Sequence, residues 1–139
     1  MYSGSLGRVH QQDHPDHKER RQAVRLVPKD GSASITSLEG RHGASGPLVD
    51  VSIRGFYIES RFAVPLRKRV RWTLRFGNEE LTGEGTVQSC HPNLGNGVEI
   101  TFMTDETRSR LVKILQDMEL SILVNSAMEA TNHSVFQSR

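Results

Sequence analysis

Only one cysteine, Cys90, occurs among the 139 residues, so the chain has no internal disulfide and nothing that asks for an oxidising compartment. No apolar run exceeds a few residues, far short of the ~20 needed to cross a bilayer. The N-terminal stretch carries no apolar core of the secretory kind. The 5 Pro and 12 Gly are scattered and no internal repeat is visible, which excludes collagen-like and low-complexity classes. Catalytic signatures are missing as well: there is no G-x-S-x-G elbow and no Walker loop. Gly83-Glu84-Gly85 and Gly95-Asn96-Gly97 are each half of a dinucleotide fingerprint, and neither opens a helix. Cys90 and His91 are neighbours on an extended segment and point to opposite faces, so they form no dyad. Glu79 and Glu80 read as turn residues rather than paired catalytic carboxylates. These absences describe a soluble, cytoplasmic, non-catalytic domain with no cofactor.

Hydrophobic residues make up 35% and charged residues 24%, enough for one modest core and about one domain. The formal net charge of +2 is too small to argue for bulk nucleic-acid binding. The kind of cation says more: 14 of the 18 basic residues are Arg. Arginine makes planar, bidentate contacts to phosphate and to guanine.

Residues 1–18 read as a flexible polar arm. His10, His14 and His17 fall at helical spacing there, but no Cys or carboxylate pattern completes a metal set. From Ala23 to Val27 a strand begins, stopped by Pro28-Lys29-Asp30-Gly31. Ile35–Leu38 is a weak strand, Gly40–Pro47 a glycine-rich loop, and Leu48–Val51 a short strand broken at Ser52–Gly55. Phe56–Phe62 resumes as a strand. Val70, Trp72, Leu74 and Phe76 alternate with Arg71, Thr73 and Arg75, the clearest half-buried strand of the chain. A turn at Gly77-Asn78 leads into Leu81–Cys90, a loop spans His91–Gly97, and Val98, Ile100 and Phe102 share a face of a last strand. Short strands with turn signals and no interleaved helices describe an antiparallel barrel or sandwich. The period then changes: with Thr104 as N-cap, Leu111, Ile114, Leu115, Met118 and Ile122 form a helical stripe that closes the barrel. After Asn125 the chain reads as polar and frayed, and residues 124–139 are set apart as a C-terminal tail.

Two patches carry chemistry. Arg21 and Arg25 lie on one face of an extended segment about 13 Å apart, from ~3.3 Å per residue. That separation spans two ends of a polyanion, or a phosphate and a base. Asp50 and Ser52, two apart, share a face if extended. A carboxylate accepts and does not donate, which suits the N1–H and N2–H₂ donors of guanine. Ser52 adds a small hydroxyl, and Gly55 a backbone that takes positive φ or admits a close ligand. Cations on one side and an acceptor on the other describe a guanine nucleotide carrying phosphate.

R-x-x-x-R followed by D-x-S-x-x-G, as Arg21/Arg25 and Asp50/Ser52/Gly55, resembles the signature of the PilZ domain. The 24 residues between Arg25 and Asp50 fit that family's connecting hairpin, and Gly97–Phe102 resembles its Gly-Val-Glu-Phe strand. The resemblance covers residues 19–123. It implies a six-stranded antiparallel PilZ-type β-barrel with a C-terminal α-helix, mainly β, acting as a non-catalytic bacterial receptor for cyclic di-GMP. It implies ligand contacts from Arg20, Arg21, Arg25, Asp50, Ser52 and Gly55. Arg20, just before the first motif arginine, goes in the family with an intercalated pair of ligand molecules rather than one. Arg54 stands where a small residue is common, and His91 lies where some relatives stack a ring on guanine; both are further candidate contacts. The implied mechanism is an arm that orders on ligand binding and presents a new surface to a downstream protein in motility, exopolysaccharide or biofilm control. The alternatives are a PilZ-like interaction module with weak or no nucleotide binding and a small barrel for single-stranded nucleic acid. The second is disfavoured because Trp72 alternates away from Arg71 and Arg75.

Overall fold

The computed structural model describes residues 24–137, with side chains of the last helix described to residue 129. Six strands, β1 (Gly31–Ser37), β2 (Gly43–Ser52), β3 (Gly55–Glu59), β4 (Arg69–Phe76), β5 (Glu79–His91) and β6 (Gly95–Phe102), precede one long helix, α1 (Asp105–Gln137). The strands close into a barrel in the order β1-β2-β3-β6-β5-β4, and every neighbouring pair is antiparallel. This is the six-stranded barrel with a C-terminal helix that the resemblance implies.

The alternation of β4 becomes burial: Val70, Trp72 and Leu74 are buried while Arg71 and Arg75 are exposed. Trp72 is the largest core side chain. It meets Phe56 edge-to-face with ring centroids 6.2 Å apart, and its indole N–H donates to the Glu84 carbonyl at 2.7 Å. Its polar edge is therefore satisfied inside an apolar core. Gly83 makes room for it, since a Cβ there would lie 2.2 Å from Trp72 Cζ2. Ile35, Val51, Ile58, Leu81 and Val87 complete the interior. Buried Asn96 accepts from Val64 N–H at 2.8 Å and donates to the Val64 and Ser89 carbonyls, pinning the β3–β4 connection to β6.

Helix α1 begins as its sequence indicates. Thr107 N–H donates to Thr104 Oγ1 at 3.1 Å, and Asp105 and Glu106 occupy the first turn, where the helix dipole favours them. Leu111 is fully buried in the barrel mouth, with Ile114, Leu115 and Met118 packed beside it. Ile122, the last of the stripe, is 47% exposed and borders a groove with Val27, Gly31 and Phe76. The stretch after Asn125, expected to fray, is helical through Gln137.

Several local expectations are corrected. Gly43–Pro47, expected in a loop, belongs to β2 and pairs with β1 from Thr36↔Gly43 to Ser32↔Pro47. Gly46 serves close packing rather than a turn: a Cβ there would lie 1.9 Å from the Glu59 carbonyl oxygen. Glu79 and Glu80 open β5 instead of forming a turn, and they bind Arg110 and Arg75 across the surface. The turn is Gly77-Asn78 alone, with Gly77 at φ 60°. The expected His91–Gly97 loop shrinks to Pro92–Leu94, and β3 ends at Glu59 rather than Phe62. Phe102 is 58% exposed and does not share the buried face of Val98. Between Gly85↔Ile100 and Glu84↔Phe102 the β6 strand carries an extra residue, and this bulge turns Phe102 outward. The expected strand at Ala23–Val27 is, among the described residues, a single bridge between Leu26 and Val51.

Candidate functional site

That bridge builds the site. Leu26 N–H donates to the Val51 carbonyl at 2.8 Å, and Val51 N–H returns a bond to Leu26 at 2.9 Å. The chain entering the barrel is thus clipped beside the end of β2. On β2 itself the pairing slips between Leu48↔Ile58 and Asp50↔Tyr57, leaving Val49 as a bulge. The interval between buried Leu48 and buried Val51 becomes three residues, and Asp50 faces outward. Arg25 and Asp50 consequently meet: Arg25 Nε donates to Asp50 Oδ1 at 2.9 Å. Members of both sequence motifs, 25 residues apart in the chain, are joined by one charge-assisted bond.

Ser52 has a different place from the one its spacing suggests. It is fully buried, with its hydroxyl accepting from Arg54 N–H at 3.1 Å and donating to the Gly55 carbonyl at 3.4 Å. Because of the bulge and the turn that follow one another here, Asp50 and Ser52 do not share an open face. Ser52 shapes the two-residue turn Ile53-Arg54. The Arg54 carbonyl then accepts from Ile100 N–H at 2.8 Å, tying this turn to β6.

Gly55 needs its missing side chain for a reason other than φ. Among the described glycines only Gly40 and Gly77 have positive φ. A Cβ on Gly55 would lie 2.4 Å from the Val98 carbonyl oxygen and 3.4 Å from Glu99 Cα, so the glycine lets β6 pass directly beside the motif.

Arg25, Arg54 and Gly55 border an open depression of about 340 Å³ on the outer face of β3, β6 and β5. Three further groups there escaped the sequence reading: Tyr57, Gln88 and Glu99. Tyr57 lies two residues past Gly55 on the same strand face. Its ring covers the Gly95-x-Gly97 backbone, where a Cβ on Gly95 would come within 2.8 Å of the ring. His91 adjoins it, with Nδ1 3.0 Å from the Tyr57 hydroxyl and the two rings 6.0 Å apart. His91 therefore reaches the site's margin through Tyr57. Gln88 Nε2 donates to Glu99 Oε1 at 2.8 Å. Gly55 and Glu99 are register partners across β3 and β6, so strand pairing would have found Glu99 where sequence spacing could not. Arg20 and Arg21 lie outside the described residues, as do His10, His14 and His17. Among the described residues, no group of three or more His, Cys, Asp or Glu is arranged to hold a metal, and no helix is long and apolar enough to cross a membrane.

No curated protein matches the sequence. Solved structures do. The PilZ domain of CeSA from a cellulose-synthesizing bacterium superposes with a TM-score of 0.55 at 18% identity, covering 68% of this chain and 99% of that one. The PilZ domain of YcgR from Escherichia coli, solved with c-di-GMP, gives a TM-score of 0.60 at 13% identity, covering 78% and 98%. At these identities the likeness concerns the barrel and helix. The sequence itself matches the family model described as PilZ domain over residues 19–117, most of the chain, a family of non-catalytic receptor and adaptor modules. With that match laid over a closed barrel of the same topology, the chain belongs to the PilZ domain family.

Proposed function

We propose that this chain is a non-catalytic receptor for cyclic di-GMP and that its N-terminal arm closes over the ligand. The observation that carries the reading is the 2.9 Å bond between Arg25 and Asp50, which brings both motifs to the rim of one open depression. That one solved relative holds c-di-GMP supports the choice of ligand.

The parts divide by chemistry. Asp50 orients the Arg25 guanidinium, whose remaining N–H groups are aimed at phosphate or at guanine O6 and N7. Arg21 is four residues from Arg25, so its Cα lies within about 14 Å of it even in a fully extended chain. Arg20 and Arg21 therefore reach the same ligand, and a third guanidinium offsets the phosphate charge of a stacked ligand pair. Ser52 acts by holding the Ile53-Arg54 turn, and Gly55 by letting β6 run close beneath the ligand. Tyr57 and His91 offer rings at the margin for stacking on a base. Fixing arm residues costs roughly 1–2 kcal/mol each. Charge-assisted hydrogen bonds of ~1.5–3 kcal/mol each offset that cost. Ligand concentration is in this way converted into an ordered surface for a downstream protein, in a cytoplasmic setting.

The test is isothermal titration calorimetry of the full chain with cyclic di-GMP, with GTP and cyclic di-AMP as controls. Saturable binding to cyclic di-GMP is expected, with a stoichiometry near two if Arg20 supports a ligand pair. Arg25→Ala is expected to weaken binding at least tenfold while the far-ultraviolet circular dichroism of the barrel is unchanged. Equal binding by this variant would show that the site lies elsewhere.

A second reading, an interaction module with little nucleotide binding, is favoured by one feature. Leu120, Ile122, Leu123, Val124 and Met128 are all exposed on the C-terminal half of α1. Absence of any calorimetric signal from folded protein would favour this reading.

A further inference from the structure

One charge in the depression runs against the rest of the site. Arg25 and Arg54 suit an anionic ligand, and the charge of Asp50 is matched by Arg25. Glu99 lines the same depression, directly opposite Gly55, yet among the described residues its carboxylate is bonded by the neutral amide of Gln88, at 2.8 Å. A carboxylate facing a phosphate-bearing ligand repels it unless the ligand brings hydrogen-bond donors. Guanine brings two adjacent ones on its Watson–Crick edge, N1–H and N2–H₂, at a spacing that matches the two oxygens of a carboxylate. Adenine places an acceptor beside its donor and cannot make the same pair. Sequence spacing assigned an acceptor role to Asp50, whose Oδ1 is shared with Arg25; Glu99 adds a second carboxylate on the β6 side of the depression.

We infer that Glu99 is a second guanine-reading acceptor of the site, beside Asp50, and that Gln88 is its positioning residue, so that this pair contributes to the preference for guanine over other purines. The inference rests on the receptor reading above and goes beyond the two sequence motifs, neither of which contains these residues. Gln88 donates through Nε2 to Oε1 and so fixes one oxygen of the carboxylate, leaving its further lone pairs for the base.

The two roles open to Glu99 have opposite signs. If it only borders the site, Glu99→Gln removes a repulsive charge and tightens binding of an anionic dinucleotide. If it reads guanine, the same variant weakens binding although a repulsion has been removed. The experiment is calorimetry on the full chain and on its E99Q, Q88A and R25A variants, each with cyclic di-GMP, cyclic di-AMP and cyclic di-IMP, whose bases lack the 2-amino donor. Glu99 is exposed and Gln is isosteric, so the fold is retained. The wild-type chain is expected to prefer cyclic di-GMP over cyclic di-IMP. E99Q should lose about tenfold or more for cyclic di-GMP and little for cyclic di-IMP, collapsing that preference. Q88A should move the preference in the same direction by less. Equal or tighter cyclic di-GMP binding by E99Q, with the base preference intact, overturns the role of Glu99. If R25A abolishes binding in that same experiment, the receptor reading stands without it. A wild-type chain that binds none of the three overturns both.

Discussion

At the scale of single residues, the site is governed by where a side chain is missing as much as by where one is present. Gly55 shows this. Its Cβ-less approach to Val98 and Glu99 is tighter than any side chain tolerates, because the atoms it would meet are backbone. Gly55→Ala must therefore separate β3 from β6 where both line the depression. Overpacking of this kind costs about 1–3 kcal/mol. A lower urea midpoint with an unchanged m-value, together with weaker ligand binding, is the expected result. An Ala variant as stable as wild type would mean that the strands separate freely here. The neighbouring glycines are not equivalent: Gly77, with open space around its Cβ position, is needed only for its φ of 60°. Sequence reading gave Gly55 two reasons, positive φ and close approach of a ligand; the first does not apply, and contact with β6 is a reason it did not offer. The chain alone could not reveal this, since the contact is made by a strand some 40 residues further on.

At the scale of elements, legibility followed periodicity. β4 was readable because its apolar and charged residues alternate without interruption, and the N-terminal half of α1 because its stripe and Thr104 cap agree. β2 was only half readable. Its first five residues, Gly43–Pro47, have the composition of a loop but are held by pairing to β1, a tertiary effect that overrides local propensity. The site followed the same rule. Arg25, Asp50 and Gly55 were legible as spaced motifs, whereas Tyr57, Gln88 and Glu99 come together only through the β3–β6–β5 order of the closed barrel. The β1–β2 turn has its own electrostatic clip, in which Lys68 Nζ donates to both oxygens of Glu39 at 3.0 and 2.9 Å. Lys68, by that hydrogen bond above all, holds the Glu39 carboxyl below its ordinary value of 4.5, and His42 adds to the effect. A depressed folded-state pKa stabilises the protein above the unfolded value, and that contribution is lost as pH falls through the folded one. The pair is at the surface, so its contribution to stability is small and screened by salt. Carbon-detected nuclear magnetic resonance should find Glu39 titrating below 4.5 in the wild-type chain and closer to 4.5 in Lys68→Ala. An identical titration in both would remove Lys68 as the cause.

At the scale of the whole molecule, the proposed receptor sets the cations of an arm against the rigid wall of a barrel. Strand pairing is continuous around the barrel, and Leu111 of α1 fills its mouth, so ligand binding has little to reorganise there. The attachment of the arm is slender by comparison: between Val24 and β1, its regular pairing is the Leu26–Val51 bridge and its two hydrogen bonds. A switch built this way should respond to ligand unevenly. Saturating cyclic di-GMP is expected to slow amide hydrogen exchange in residues 19–26 by tenfold or more, because Arg20, Arg21 and Arg25 become anchored just before the bridge. Amides in the middle of β4 and β5 should change far less, since both strands are already paired on both sides. The order of these effects matters. Protection that begins in the arm and is lost in Arg25→Ala fits closure of the arm over a preformed surface. Protection spread equally through the barrel strands would instead mean that the ligand acts by stabilising the whole fold, in proportion to its concentration over its dissociation constant. In that case the arm would be a passive part of the binding surface, and a partner would have to read the barrel itself.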